Sequence, residues 1–154
     1  LVRAMRALGP APVWECSHIG GDRFAANVVL LPHGCYFGRV SVDALAGFLA
    51  DLERDLLPLE HYRGRSALPP PVQAGELAVR QETGERRIDA LTGWRRERLG
   101  EGAWAVEIDL AGRRHRAEVS ASNDVEPRLL TCHSSRPEPP RSFVVGPLER
   151  LDDS

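Results

Sequence analysis

Lysine is missing altogether: all 20 basic residues in this chain of 154 are arginine. Arginine and alanine codons are GC-rich and lysine codons are not, so genome composition accounts for the bias. Most of the arginines therefore carry no message about anion binding. Neither sign of charge dominates, since 20 basic and 22 acidic residues leave a net charge of −2 and a pI near 6.2. That balance removes the electrostatic case for nucleic acid or an anionic membrane as a partner. No apolar run approaches the roughly 18 residues that a membrane span needs, and no signal peptide is visible at the start. Cysteine is scarce: Cys16, Cys35 and Cys132 are odd in number and form no C-x-x-C. A reduced cytoplasm suits that pattern better than a disulfide framework does. What is present is globular in character, with 42% hydrophobic and 27% charged residues. The length suffices for one ordinary domain with its own core.

Apolar residues at positions 1, 2, 5 and 8 predict a first helix, which Gly9-Pro10 stops. No capping residue precedes it, so further sequence is expected upstream. Residues 13–16 read as a short buried strand, with Trp14 in the core. Residues 17–27 are polar, carry Gly20-Gly21 and read as a loop. The β-branched run Val28-Val29-Leu30-Leu31 has the texture of a central strand. Pro32-His33-Gly34 then turns the chain, and residues 35–40 return as the second arm of a hairpin. Ser41 is a plausible N-cap for an amphipathic helix over 42–56, because Leu45, Phe48, Leu49, Leu52 and Leu56 recur at helical spacing. Residues 57–71 form a proline-containing linker, and a helix is expected over 72–83.

After Thr83-Gly84 the pattern changes to period two. Trp104, Val106, Ile108 and Leu110 alternate with small or acidic residues, Ala111-Gly112 turns the chain, and His115, Ala117 and Val119 alternate with Arg114, Arg116 and Glu118. A hairpin is expected there. Short strands are also expected over 129–132 and 143–145, separated by a proline-rich loop. The fold class is therefore α/β, of the α+β kind. Residues 1–57 form one part, 58–83 a linker and helix, and 84–154 a small antiparallel β region packed on the first part.

The informative stretch is Trp14-Glu15-Cys16-Ser17-His18-Ile19-Gly20-Gly21-Asp22-Arg23-Phe24-Ala25-Ala26-Asn27. Leu31-Pro32-His33-Gly34 and Tyr36-Phe37-Gly38-Arg39-Val40 follow in order, then Arg63-Gly64-Arg65-Ser66 and Gln73-Ala74-Gly75-Glu76. This succession resembles the sucrase/ferredoxin-like family, strongly over residues 12–40, fairly to about residue 80 and weakly beyond. The resemblance implies a thioredoxin-like ferredoxin domain that binds a [2Fe-2S] cluster and carries electrons. The element order of residues 1–57 suits the later part of that fold, whose first strand would precede Leu1. The resemblance further implies that cysteines on an upstream loop supply part of the coordination and that a histidine of the H-x-G-G-[HD] loop supplies another part. That assigns His18 as a candidate ligand.

The chemistry of the loop suits the implied role. A neutral imidazole can bind iron, as in Rieske centres. Gly20 and Gly21 permit positive φ and close approach of backbone N–H groups, and Arg23 could offset negative charge. Asp22 stands where other members have a second histidine. A carboxylate suits iron–sulfur chemistry poorly, so Asp22 is read less as a metal ligand than as a hydrogen-bond acceptor from His18 or Arg23, or as a plain turn residue. Cys16 lies near His18 but reads as a small core residue before it reads as a ligand or nucleophile. Cys35 and Cys132 have no iron–sulfur spacing, so stable cluster binding by these residues alone is not expected.

Bland roles stand beside these. Trp14 and Phe24 read as core, Arg63 and Arg65 as a solvated pair or contacts to a redox partner protein, and His33 and Asp43 as turn and helix-start residues. Cys132 and His133 would point to opposite faces of a strand. Three functions compete. The first is an electron carrier whose cluster thiolates lie elsewhere, possible in a separate polypeptide forming the missing N-terminal half. The second is an interaction domain that needs a partner strand. The third is an enzyme using Cys16 and His18, which has no orienting third group. No carboxylate pair argues for glycoside cleavage.

Overall fold

Alternation builds the larger of two sheets. In a computed structural model that describes residues 1–9, 11–122, 126–127, 129 and 135–151, strands β5 (Ala103–Leu110) and β6 (Arg113–Ser122) form the expected hairpin. Ala111 and Gly112 at its tip both take positive φ, 51° and 74°, as a two-residue hairpin turn requires. On the inner face Val106 lies opposite Ala117 and Ile108 opposite His115. On the outer face Glu107 lies opposite Arg116 and Asp109 opposite Arg114. Each outer pair is an ion pair, at 3.2 and 2.7 Å. Period two thus separates a dry face from a charged one. Burial pushes the His115 pKa down, so this inner-face imidazole is neutral at neutral pH.

Strand β4 (Leu91–Gly100) adds to β5, while β7 (Ser142–Val145) and β8 (Glu149–Leu151) both pair with β6, all antiparallel. The length of β4 escapes sequence reading because most of it is exposed on both faces. Its Arg95, Arg96 and Arg98 give the sheet a charged edge, which discourages further pairing.

The smaller sheet contains β1 (Val28–Leu30), β2 (Cys35–Phe37) and β3 (Tyr62–Arg65) in the order β1-β2-β3, again antiparallel. Helices α1 (Val2–Leu8) and α2 (Leu45–Glu53) pack with it around Met5, Phe37, Phe48 and Tyr62. The Phe37 and Phe48 rings meet edge to face at 5.1 Å. Ser41 acts ahead of α2, where its Oγ accepts a hydrogen bond from the Ala44 N–H at 3.2 Å.

Helix α3 (Pro70–Thr83) joins the two sheets. Prolines are tolerated in its first turn, where no N–H partner is lost, and Gly84 ends it in the left-handed conformation. Val72 and Val79 pack with Val106, Ile108 and Leu110 of the larger sheet. Gly75 permits the approach, since a Cβ there would stand 2.9 Å from Val106 Cγ1. Toward the smaller sheet α3 offers Glu76 and Arg80, both fully buried. Arg80 Nε donates to Glu76 Oε1 at 2.9 Å, and Tyr62 Oη donates to Glu76 Oε2 at 3.0 Å. Burial, with Glu76 second, holds the Tyr62 phenol far above its ordinary pKa. Arg80 Nη1 also donates to the carbonyls of Glu85 and Arg87.

The α+β class stands, and four local expectations change. Residues 13–16 form no strand, and Trp14 is 87% exposed rather than core. Val28–Leu30 is a strand but lies at the edge of its sheet, with β2 in the middle. The expected linker contains β3, whose charged, glycine-interrupted sequence is a strand because β2 and α3 pair with and cover it. The helix expected over 42–56 is shorter, with a turn over 42–44 before it. The strand expected over 129–132 falls largely outside the described residues.

Candidate functional site

The segment after β2 is stitched to the loop before β1. Arg39 N–H donates to the Phe24 carbonyl at 2.6 Å, and Val40 N–H donates to the Ala26 carbonyl at 3.1 Å. Gly38 makes the approach possible, because a Cβ there would stand 2.8 Å from Phe24 Cβ. Arg39 takes φ 57°, a left-handed conformation that costs a non-glycine residue roughly 1–2 kcal/mol. On the loop side Asn27 Nδ2 donates to the carbonyls of Gly20 and Gly21 at 3.1 and 3.0 Å. Phe24 N–H closes a short helical turn on the Gly21 carbonyl at 2.8 Å.

Three guanidinium groups gather on the ring held in this way. The Cζ atoms of Arg63, Arg23 and Arg39 lie 3.6, 4.4 and 5.7 Å from the Phe24 centroid, within cation–π range. Partial burial lowers the Arg63 pKa first, and Arg39 and Arg23 lower it further. Arg65, two residues further along β3, meets different partners. Its Nε lies 3.7 Å from Glu76 Oε1, and its Nη2 donates to the Ile88 carbonyl. Gln73 Nε2 secures this strand by donating to the carbonyls of Arg65 and Leu68 at 3.0 and 2.7 Å. Gly64, at φ 112°, leaves room for the Gln73 side chain.

These parts line one cleft of about 680 Å³. Arg23, Arg39, Arg63, Arg65 and Arg141 are among its lining residues, and among the described residues no acidic one lines it. Tyr36, Leu77 and Phe143 add apolar or aromatic wall.

The structure separates the sequence-predicted residues into two groups. Gly20, Gly21 and Arg23 line the cleft. His18 is exposed on the loop just before them, as is Cys16, and Asp22 is half-buried in the short helical turn. Cys16 and His18 lie outside any strand, so the shared strand face that a nucleophile–base pair would need is not there. Cys35 is fully buried in β2, where burial raises its thiol pKa and makes it a poor metal ligand. His33 and Asp43 sit exposed in turns, as expected. Cys132 and His133 lie outside the described residues.

Among the described residues no three of His, Cys, Asp and Glu stand together as a metal-binding group. A [2Fe-2S] cluster takes four protein ligands, so these residues alone do not fit the group that the resemblance implies. No helix among them is long and apolar enough to cross a membrane. Sequence reading gave Arg39 no role and took Phe24 as core; Arg63 is exposed, as expected, while its guanidinium lies over the Phe24 ring. The available signal was a glycine beside an arginine in two segments, Gly38-Arg39 and Arg63-Gly64, and one residue removed in a third, Gly21-Asp22-Arg23. Comparison with family models, curated proteins and solved structures found no match to this chain.

Proposed function

We propose that this chain is one part of an electron-transfer protein related to the sucrase/ferredoxin-like family, with a partial thioredoxin-like fold in its first part. His18 would give one imidazole ligand to a [2Fe-2S] cluster. The thiolates would come from a segment that these 154 residues do not contain. The observation that carries this reading is convergence. Four of the segments on which the resemblance rests, spread over residues 14–76, contribute to a single cleft. Unrelated chance matches have no physical reason to meet at one place. The exposure of His18 beside that cleft leaves the imidazole reachable by a second polypeptide. A reducing compartment such as the cytoplasm would keep the cysteines as thiols, and a redox partner protein would exchange the electrons.

The test is anaerobic reconstitution with ferrous iron and sulfide. It uses the chain alone and the chain co-purified with the polypeptide encoded immediately upstream. The expected outcome is a stoichiometric [2Fe-2S] spectrum in the pair, with a reduction potential that His18→Cys lowers. A pair that takes up no iron, or a potential indifferent to position 18, would overturn the reading.

One observation favours a second reading, a non-catalytic interaction domain. Among the described residues only β2 pairs with β1, so the other edge of β1 is open to a partner strand. Stable association with the upstream polypeptide and no iron in the complex would select it.

A further inference from the structure

The geometry points to a binding site for a phosphate-bearing small molecule in the arginine cleft, with Arg39 and Arg63 as its anion-holding residues. Neither of these two has an acidic partner among the described residues, whereas Arg65, Arg86, Arg95, Arg114 and Arg116 each have one. Arg39 and Arg63 converge with Arg23 on one aromatic ring instead. Gathering like charges opposes folding, and at Arg63 burial first and then the Arg39 and Arg23 charges act against its protonated form. The chain as a whole carries a net charge of −2, so Arg39 and Arg63, side by side on one ring without a carboxylate among the described residues, are a local feature and not a reflection of composition.

A doubly charged phosphate offsets such a cluster better than a single carboxylate does. Its tetrahedral oxygens also accept from several guanidinium forks at once. The Phe24 ring attracts these guanidinium groups through its face and offers no oxygen acceptor, so it does not take the place of an anion on their N–H groups. The rest of the cleft suits an organic body attached to the phosphate. Its volume of about 680 Å³ falls within the roughly 300–1,000 Å³ of small-molecule sites. Tyr36, Leu77 and Phe143 supply apolar and aromatic contact area. Phosphate binding by these arginines needs no iron and is independent of electron transfer.

The test is isothermal titration calorimetry of the full chain at low chloride with inorganic phosphate, AMP and citrate. Saturable binding of phosphate or AMP is expected, weakened about tenfold by Arg39→Ala and again by Arg63→Ala, as loss of a charged hydrogen bond predicts. Arg98→Ala, on the exposed edge strand, should leave the affinity unchanged. Tighter binding of AMP would assign a nucleotide-sized ligand, and equal binding would assign free phosphate. No saturable binding of either, a preference for citrate, or an affinity indifferent to Arg39 and Arg63 would overturn the inference. Phenylglyoxal modification of the wild-type chain gives a readout that needs no variant. Phosphate should shield Arg39 and Arg63 from the reagent, and failure to shield them would count equally against the site.

Discussion

On the outer face of the five-stranded sheet Arg95 and Arg116 share Glu107, and Arg114 pairs with Asp109. Beside the three-stranded sheet Arg39 and Arg63 share an aromatic ring and have no carboxylate among the described residues. One residue type, abundant for a reason unrelated to function, thus occupies two electrostatic settings. In the first the charges cancel across a ladder. In the second they accumulate, although accumulation opposes folding. Composition accounts for how many arginines there are, and only their counter-charges show which of them are set aside for something else. Between the two regions lies a third setting, the buried Glu76–Arg80 pair, where charge is fully desolvated and meets its counter-charge at 2.9 Å.

The sharpest way to break the comparison is to remove that joint. Glu76→Ala leaves the Arg80 guanidinium buried without its carboxylate and takes the acceptor from Tyr62. A loss of about 3–5 kcal/mol is expected, read by chemical denaturation. Next is Gly64→Ala, which forces a Cβ toward Gln73 Oε1, 2.7 Å away, at φ 112°. That should destabilise by roughly 1–3 kcal/mol and weaken phosphate binding in parallel, because β3 positions Arg63. Arg39→Gly tests the opposite sign. It relieves a left-handed arginine and removes one like charge, so a gain of up to about 1 kcal/mol is expected, together with weaker phosphate binding. A variant that melts later and binds less would show that Arg39 is retained for a ligand and not for the fold. The smallest effect belongs to the ladder, where Glu107→Gln should cost about 0–1 kcal/mol and less at high salt, because its arginine partners are largely solvated.

Legibility in the sequence followed burial. The β5–β6 hairpin was plain because one face is dry and the other wet, so each residue type marks its side. Helix α2 was plain for the same reason at the helical period, although its N-cap is Ala44 and the expected cap, Ser41, bonds to the turn before it. Strand β3 was not, since Tyr62-Arg63-Gly64-Arg65 becomes a strand only when β2 pairs with it and Gln73 of α3 holds its carbonyls. Trp14 misled because an aromatic residue is usually buried, and nothing nearby in the chain says whether a partner surface will cover it. For the site, the glycines and arginines were visible as motifs, but Phe24 could not be distinguished from a core residue. Its role depends on Arg39 and Arg63, which lie 15 and 39 positions further on.

The amino-acid sequence by itself determined the α+β class, the period-two hairpin, the amphipathic helices and the set of motif segments, because each depends on contacts or periodicities within a few neighbours. Only the tertiary structure decided which arginines meet a carboxylate and which crowd around an aromatic ring. Coulomb energy depends on distance in space, and residues far apart in the chain acquire that distance only when the sheets close around α3.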